Sequence, residues 1–518
     1  MIRSRDLEAI NLEILRPYIR DSAEFYAPPG KEHYRLLAFL STQVAADAEV
    51  FDIGTNYGDS AIALSYDDQT VVHSFDLVDR VPLVRKTRRN VHYHLENILT
   101  GEGREKWKDR LLASPLIFLD VDPHDGETEH EFVSWLEESK YQGVLVLDDI
   151  WYFKGMREKL WYRIKPEHKW DLTRLGHWSG TGIVSWTLGG GTGFSKTDHW
   201  TVVTGFFDLT RRDDANQEIK NRPPNHYIEE NAHSTLALDQ NLVVFCEPDY
   251  KDRILAIRPK WLHERTHVVT QSFDGFPLSG YLPKIVEARG GSSGCARDPR
   301  NTASYYLFCV ARFAMMKYTI RENPFGSTHF AWTNICIERM GFRNLIHFEE
   351  ALAQNRSKFS TCYIDHVAKS DLSSLPAFFG VDGCRNPQGT CGRCSMCSGF
   401  FTGGLEHMYE VSDLVERKFL ECLAAGYGHA DEQLLALVHA DRPELFEWYP
   451  GDYHEMVTNY RSVYDRADKP VRNLIRHSME HKDDETAKRA AGLVWDSYER
   501  GACELSTHDL ELLLAVLS

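Results

Sequence analysis

The chain has 518 residues, too many for one ordinary core and a natural length for two or three domains. Its 59 basic and 76 acidic side chains give a formal charge of −17; this disfavours a sequence-independent nucleic-acid binder and docking to anionic lipid, since both need a basic surface. Hydrophobic residues are 42% and charged residues 26%, as in a globular, water-soluble protein. No window approaches the ~20 apolar residues of a membrane span. The N-terminal MIRSRDLEAINLEIL lacks the apolar run of a secretory signal, so a cytoplasmic protein is expected, with no nucleic-acid partner.

In chain order, the first 187 residues alternate short apolar runs with helical patterns. Strands are predicted at 49–53, 71–76, 116–120 and 143–148, and EHEFVSWLEESK reads as a helix over 129–140. Strands alternating with helices imply a parallel sheet covered on both faces. The Gly-rich LGGGTGFSKT at 188–197 reads as a linker or tight crossover. New strands follow at 201–207 and 242–246. After about residue 404 the pattern is mostly helical, through 411–425 and 487–498, with Pro450 and Gly451 punctuating the start of the last helical stretch. The expected division is a first domain at 1–187, a linker at 188–199, a second domain at 200–455 and a helical C-terminal extension at 456–518.

VFDIGTNYGDSAIAL, residues 50–64, has the make-up of a nucleotide cradle: a strand ending at Asp52, then Gly54 and Gly58, then a helix starting near Ser60. Glycines let the backbone turn tightly and approach a ligand, and the helix presents free N–H groups. The next strand ends in Asp76, where a carboxylate can accept both hydroxyls of a ribose. Two further strand ends are acidic. IFLDVDPHDG carries Asp120, Asp122, His124 and Asp125, and VLVLDDIW carries Asp148 and Asp149. Three carboxylates on neighbouring strand ends suit a hard, oxygen-loving ion such as Mg²⁺; the alternative is that polar strand ends are simply where loops begin.

DIGTNYGDS, FLDVDPHDG and LVLDDIW, with DLTRLGHWSGTGIV at 171–184, together resemble class I methyltransferases of the metal-dependent type, especially those acting on sugar hydroxyls. The resemblance covers about residues 30–187. It implies a Rossmann-like domain in which Asp52, Gly54, Gly58, Ser60 and Asp76 hold S-adenosylmethionine and Asp120, Asp148 and Asp149 hold a divalent cation. Catechol-type relatives place a lysine base three residues after the first metal aspartate, where this chain has Pro123; the base is then His124 or Asp122. His177 either lines the acceptor pocket or is a structural hairpin residue.

In the second half, TVVTGFFDL, NLVVFCEP, ENPFGSTHFAWTNICI, SGFFTGG and ADEQLLALV occur in an order similar to the HtrL/YibB-like family, whose members are read as glycosyltransferases. The resemblance runs from about 200 to about 455. It implies a second α/β, GT-A-like domain holding a nucleotide sugar at its strand ends, with a mostly helical C-terminal region. Where the family reads W-x-D this chain reads Trp332-Thr333-Asn334; asparagine keeps one oxygen but loses the charge, so metal affinity falls. Lys317 and Arg321 either neutralise a diphosphate or are solvated helix charges. Asp431 is the candidate carboxylate for activating the acceptor or binding sugar, or else a helix N-terminal residue. Finally, Cys384, Cys391, Cys394 and Cys397 form a C-x6-C-x2-C-x2-C array among eleven cysteines. This insertion at 384–397 suits a structural Zn²⁺, with an iron–sulfur cluster or uncoordinated thiols as alternatives, and would staple the SGFFTGG loop after it. The combined expectation is a bifunctional glycan-building enzyme that methylates a sugar hydroxyl and transfers a sugar to a glycan acceptor; the alternative is a methyltransferase with a non-catalytic glycan-binding or scaffold second domain.

Overall fold

The first sheet is built from seven short strands: β1 (Glu49–Ile53), β2 (Val71–Asp76), β3 (Val91–Leu95), β4 (Leu116–Leu119), β5 (Val144–Leu147), β6 (Lys169–Asp171) and β7 (Gly182–Val184). The computed structural model describes residues 7–27, 30–173, 175–188, 199–291, 302–341, 345–380, 395–428, 431–461, 469–501 and 503–518. The chain divides into two compact units, Met1–Gly193 and Phe194–Ser518. In the first, the strand order is β3-β2-β1-β4-β5-β7-β6. β1 to β5 are parallel, and β7 runs antiparallel to β5 and β6. β4 (LIFL) is buried throughout and β5 (VLVL) nearly so, the continuous apolar reading of strands covered on both faces. Chain order reverses beside β1, which has β2 on one side and β4 on the other; open α/β sheets bind ligands at that point.

β8 (Trp200–Phe206), β9 (Asn241–Cys246), β10 (Thr266–Thr270), β11 (His329–Thr333), β12 (Ser360–Tyr363), β13 (Met396–Gly404) and β14 (Tyr449–Pro450) form the second sheet. Their order is β10-β9-β8-β11-β13-β12-β14. β8 to β11 are mutually parallel, and β13 is antiparallel to both β11 and β12. The helices Ala303–Glu322 and Leu405–Ala424 cover one face. Buried residues of Lys469–Glu480 and Asp484–Glu499, among them Leu474, Ala490 and Val494, belong to the same apolar cluster as Phe330 and Phe401 of the sheet. The architecture is therefore a Rossmann-like α/β sheet, parallel but for one strand, followed by a second mixed α/β sheet with a helical C-terminal region.

Two local expectations change. SGFFTGG, expected as a loop, lies within β13, with Phe400 and Phe401 both buried. Its glycines mark close approach rather than a turn: a Cβ on Gly399 would meet Met456 Sδ at 3.1 Å. Pro450 closes β14, and among the described residues the last three helices lie from Lys469 onward. Among the described residues no helix is long and apolar enough to cross a membrane.

Candidate functional site

β1 delivers Asp52 to the sheet end with no solvent exposure. Its Oδ2 accepts the Ser74 hydroxyl at 2.6 Å, and Ser60 stands in the first turn of the helix Asp59–Leu64 that follows. Its Oδ1 has no partner. Burial pushes the Asp52 carboxyl up to about 7. Gly54 takes φ +106°, and a Cβ there would sit 1.6 Å from the Asp120 carbonyl oxygen, so only glycine lets the turn pass β4. Gly58, at φ +87°, starts the helix. Asp76, half-buried at the end of β2, ties the turn down: Oδ2 accepts Asn56 N–H at 2.8 Å, and Oδ1 accepts Leu77 N–H at 2.6 Å and Val78 N–H at 3.1 Å. The residues expected to hold the cofactor are thus gathered at one sheet end, around a glycine cradle and an orphaned buried carboxylate oxygen that suit a ligand bearing an amino group and hydroxyls.

Beside this turn, Asp120 follows β4 and Asp148 and Asp149 follow β5. The two strands pair in parallel, so the carboxylates converge. His124 Nε2 lies 3.0 Å from Asp120 Oδ1 and 3.2 Å from Asp149 Oδ2. His177 Nδ1 lies 3.6 Å from Asp148 Oδ2 and 3.9 Å from Asp149 Oδ1, and His33 Nε2 is 3.9 Å from Asp148 Oδ2. His124 and Asp149 both adopt left-handed backbone, φ +58° each, a conformation that costs energy for residues with a Cβ and recurs at functional sites. Burial raises Asp120, with the charges of Asp148 and Asp149 adding to it. Burial opposes charge on His124, but Asp120 and Asp149 outweigh it and hold the imidazole at about 10.

The donor atoms of Asp120, His124 and Asp149 lie within 4.8 Å of one another, as do those of Asp148, Asp149 and His177. Asp149 is common to both sets, and the buried Asp148 Oδ1 has no hydrogen-bond partner. Crowded carboxylates with an unused oxygen fit a hard divalent cation, which would remove their mutual repulsion. The structure places His124 among the prospective ligands. Asp122 stands apart: its side chain is 87% exposed and its nearest approach to His124 Nδ1 is 3.4 Å. His33, from the helix Gly30–Ser41, joins the site without a sequence signal, since one histidine on an amphipathic helix reads as surface or core.

The rim is aromatic. Tyr152 and Trp178 are 59% and 57% exposed, and their rings meet edge to face at 5.2 Å. Each is next in space to the cluster: Tyr152 follows Asp149 by three positions, and Trp178 contacts the His177 ring at 5.6 Å. Phe153 stacks on His124 at 4.4 Å.

In the second unit the expected residues do not converge. Asn334 follows β11, and its Oδ1 accepts the Trp332 indole N–H at 3.1 Å. Asp431 is buried at the start of the helix Asp431–Asp441, with Arg312 Nη1 3.1 Å from its Oδ2. Lys317 is held between Asp413 and Glu416 at 2.9 Å each, while Arg321 is exposed on the same helix. Cys384, Cys391 and Cys394 lie outside the described residues. Cys397 is buried in β13, its thiol 3.9 Å from Met456 Sδ, and burial pushes it well above the usual thiol range.

The first unit has a Rossmann-like sheet with an acidic, histidine-rich cluster at its strand ends, and the second has a mixed α/β sheet. Residues 198–462 match the family described as a bacterial protein of unknown function, HtrL_YibB, and the chain belongs to that family. No curated protein matches the chain in sequence. Among solved structures, mouse xyloside xylosyltransferase 1 in its apo form is 15% identical, with 48% of this chain and 84% of that chain covered at a TM-score of 0.28. A Staphylococcus aureus protein assigned as a caffeoyl-CoA O-methyltransferase is 16% identical, with 36% and 93% covered at 0.24. A fibrillarin/Nop5p complex gives 12% identity, 27% and 72% coverage and 0.21.

Proposed function

We propose that the first unit transfers a methyl group from S-adenosylmethionine to a sugar hydroxyl, and that the second transfers a sugar from a nucleotide sugar to a glycan acceptor. The observation that carries the first half is the convergence of Asp120, Asp148 and Asp149, with an unpartnered buried oxygen on Asp148, beside the Gly54 turn. A divalent cation held by these carboxylates would supply acidification of a hydroxyl, and S-adenosylmethionine would supply the methyl group. Asp52, Ser60 and Asp76 line the cofactor side, and Gly54 and Gly58 let the backbone approach it. His124 is the group assigned to take the hydroxyl proton, a role that calls for a neutral imidazole; Asp120 and Asp149 hold it charged, and a cation on those carboxylates would offset that pull and free its base form. His177 lines the acceptor side, held by Ser179, whose hydroxyl oxygen lies 2.5 Å from its Nδ1. The exposed Tyr152 and Trp178 rings offer a face on which a sugar ring stacks, which favours a glycan acceptor over a small ion or a buried aromatic.

A second reading has its own support. Asn334 spends its one side-chain oxygen on the Trp332 indole, and this favours a second unit that binds glycan or nucleotide sugar without metal, or that binds glycan without catalysis. Incubation of the full chain with labelled S-adenosylmethionine, oligosaccharide acceptors and a panel of nucleotide sugars separates these. Methylated, extended product is expected. Methyl transfer that persists in excess chelator would refute the metal role. Methyl transfer with no consumption of any nucleotide sugar would leave only the binding-module reading of the second unit.

A further inference from the structure

Past Asn334 the second unit continues into a short turn, Ile337–Met340, beyond the C-terminal end of β11. A cavity of about 750 Å³ opens there, between this turn, the segment 221–231 and His454. That volume lies in the range of small-ligand pockets. Its charge is unusual for a chain of net −17: Arg222 and Arg339 both line it, both half-buried. Tyr227 is near both guanidiniums: Arg339 lies 5.6 Å over its ring, and the charges of both arginines act against the burial that raises its phenol.

The carboxylate in this wall is already committed. Glu338 is 4% exposed and accepts Ser234 N–H at 3.0 Å. His226 pairs outward with Glu230 at 3.0 Å, and His454 Nδ1 lies 3.2 Å from the Met340 carbonyl oxygen. Among the described residues neither Arg222 nor Arg339 forms an ion pair. Two partly desolvated guanidiniums without a counter-charge are poised for a bidentate oxyanion, and Asn231, whose Nδ2 donates to the His226 carbonyl at 2.6 Å, also lines the cavity.

We infer that Arg222 and Arg339 bind the diphosphate of a nucleoside diphosphate or nucleotide sugar. This rests on the glycosyltransferase reading of the second unit and moves its anion site away from Lys317, whose charge Asp413 and Glu416 already neutralise. It also supplies positive charge for a diphosphate close to Asn334, where a metal-binding carboxylate is missing.

The test is calorimetry on the full chain, with chelator present, using UDP, GDP, ADP, CDP and inorganic pyrophosphate. At least one nucleoside diphosphate is expected to bind. Arg222→Gln and Arg339→Gln should each weaken it tenfold or more, the double variant should abolish it, and Arg321→Gln should leave it unchanged. Arg222→Lys and Arg339→Lys keep the charge and lose the fork, so intermediate losses are expected even where a glutamine variant folds poorly. Absence of binding by every diphosphate overturns the inference. Nucleotide binding that ignores both arginines overturns it too, while the glycosyltransferase reading stands. Pyrophosphate bound through the arginines with no preference for any nucleoside supports the anion site and counts against that reading.

Discussion

At the end of β5 in the first unit and of β11 in the second, the chain presents polar residues at the mouth of a seven-stranded sheet. The two mouths are satisfied differently. Around Asp120, Asp148 and Asp149 the carboxylates crowd one another, one buried oxygen is left without a partner, and three histidines stand within 4 Å of them. Around Asn334 the side-chain oxygen is taken by an indole, and the buried Asp431, whose Oδ2 accepts no hydrogen bond, has its charge offset by Arg312 at 3.1 Å. A polar residue at a strand end thus says little by itself. An unmet charge or oxygen marks a place for a ligand, whereas a met one marks a place for the fold. In the second unit the unmet charges lie farther on, at Arg222 and Arg339.

The sharpest way to break this comparison is to remove the first cluster. Asp149→Ala should lower methyl transfer by roughly 10³-fold, the scale of losing a group that stabilises charge in the transition state, and chelation should do the same. Binding of S-adenosylmethionine, read by calorimetry, should hardly change. Nucleotide binding by the second unit should be indifferent to chelator. If the two units respond alike, the contrast drawn between them is wrong.

Next in size is the buried pair of the second unit. Asp431→Ala leaves Arg312 charged and enclosed, which should cost about 3 kcal/mol. Chemical denaturation should show the loss in the second unit's transition and not in the first, because each has its own apolar core. A neutral effect on stability with lost sugar transfer would instead return Asp431 to a catalytic role.

Asp76→Ala should weaken S-adenosylmethionine binding by about 2 kcal/mol. It removes the ribose partner proposed for the cofactor and also the anchor for the Asn56 and Leu77 N–H groups. Unchanged affinity in a folded variant would exclude Asp76 from the cofactor site. Trp178→Ala should have the smallest effect, raising KM for a glycan acceptor by an amount equivalent to about 1 kcal/mol, with kcat and cofactor affinity nearly unchanged. A fall in kcat alone would mean that the ring positions His177 instead of the acceptor.

Much of the first sheet was legible in the sequence. Predicted strands at 49–53, 71–76, 116–120 and 143–148 match β1, β2, β4 and β5 to within a residue, because β4 (LIFL) and β5 (VLVL) are wholly apolar and β1 and β2 keep apolar residues ahead of their terminal motif positions. The pattern of β3, VHYHL, is half polar at the sheet edge, and β6 and β7 have three residues each, too few for a period to register. β13 was hidden for another reason: its glycines imitate a turn, and only the approach of Met456 shows why small residues are needed there.

For the site, sequence determined which residue types stand at the strand ends: Asp52, Asp76, Asp120, Asp148 and Asp149 follow directly from strand and motif, since local apolar patterning sets where each strand stops. Tertiary structure decided who meets whom. His33 comes from a helix before β1, Trp178 from a loop before β7, and Arg222 and Arg339 from segments more than a hundred residues apart, so no spacing along the chain announces them. Whether a charge is free is also a tertiary property. Lys317 and Arg222 look equivalent in the sequence, and only packing gives Lys317 two carboxylates at 2.9 Å and leaves Arg222 facing a cavity.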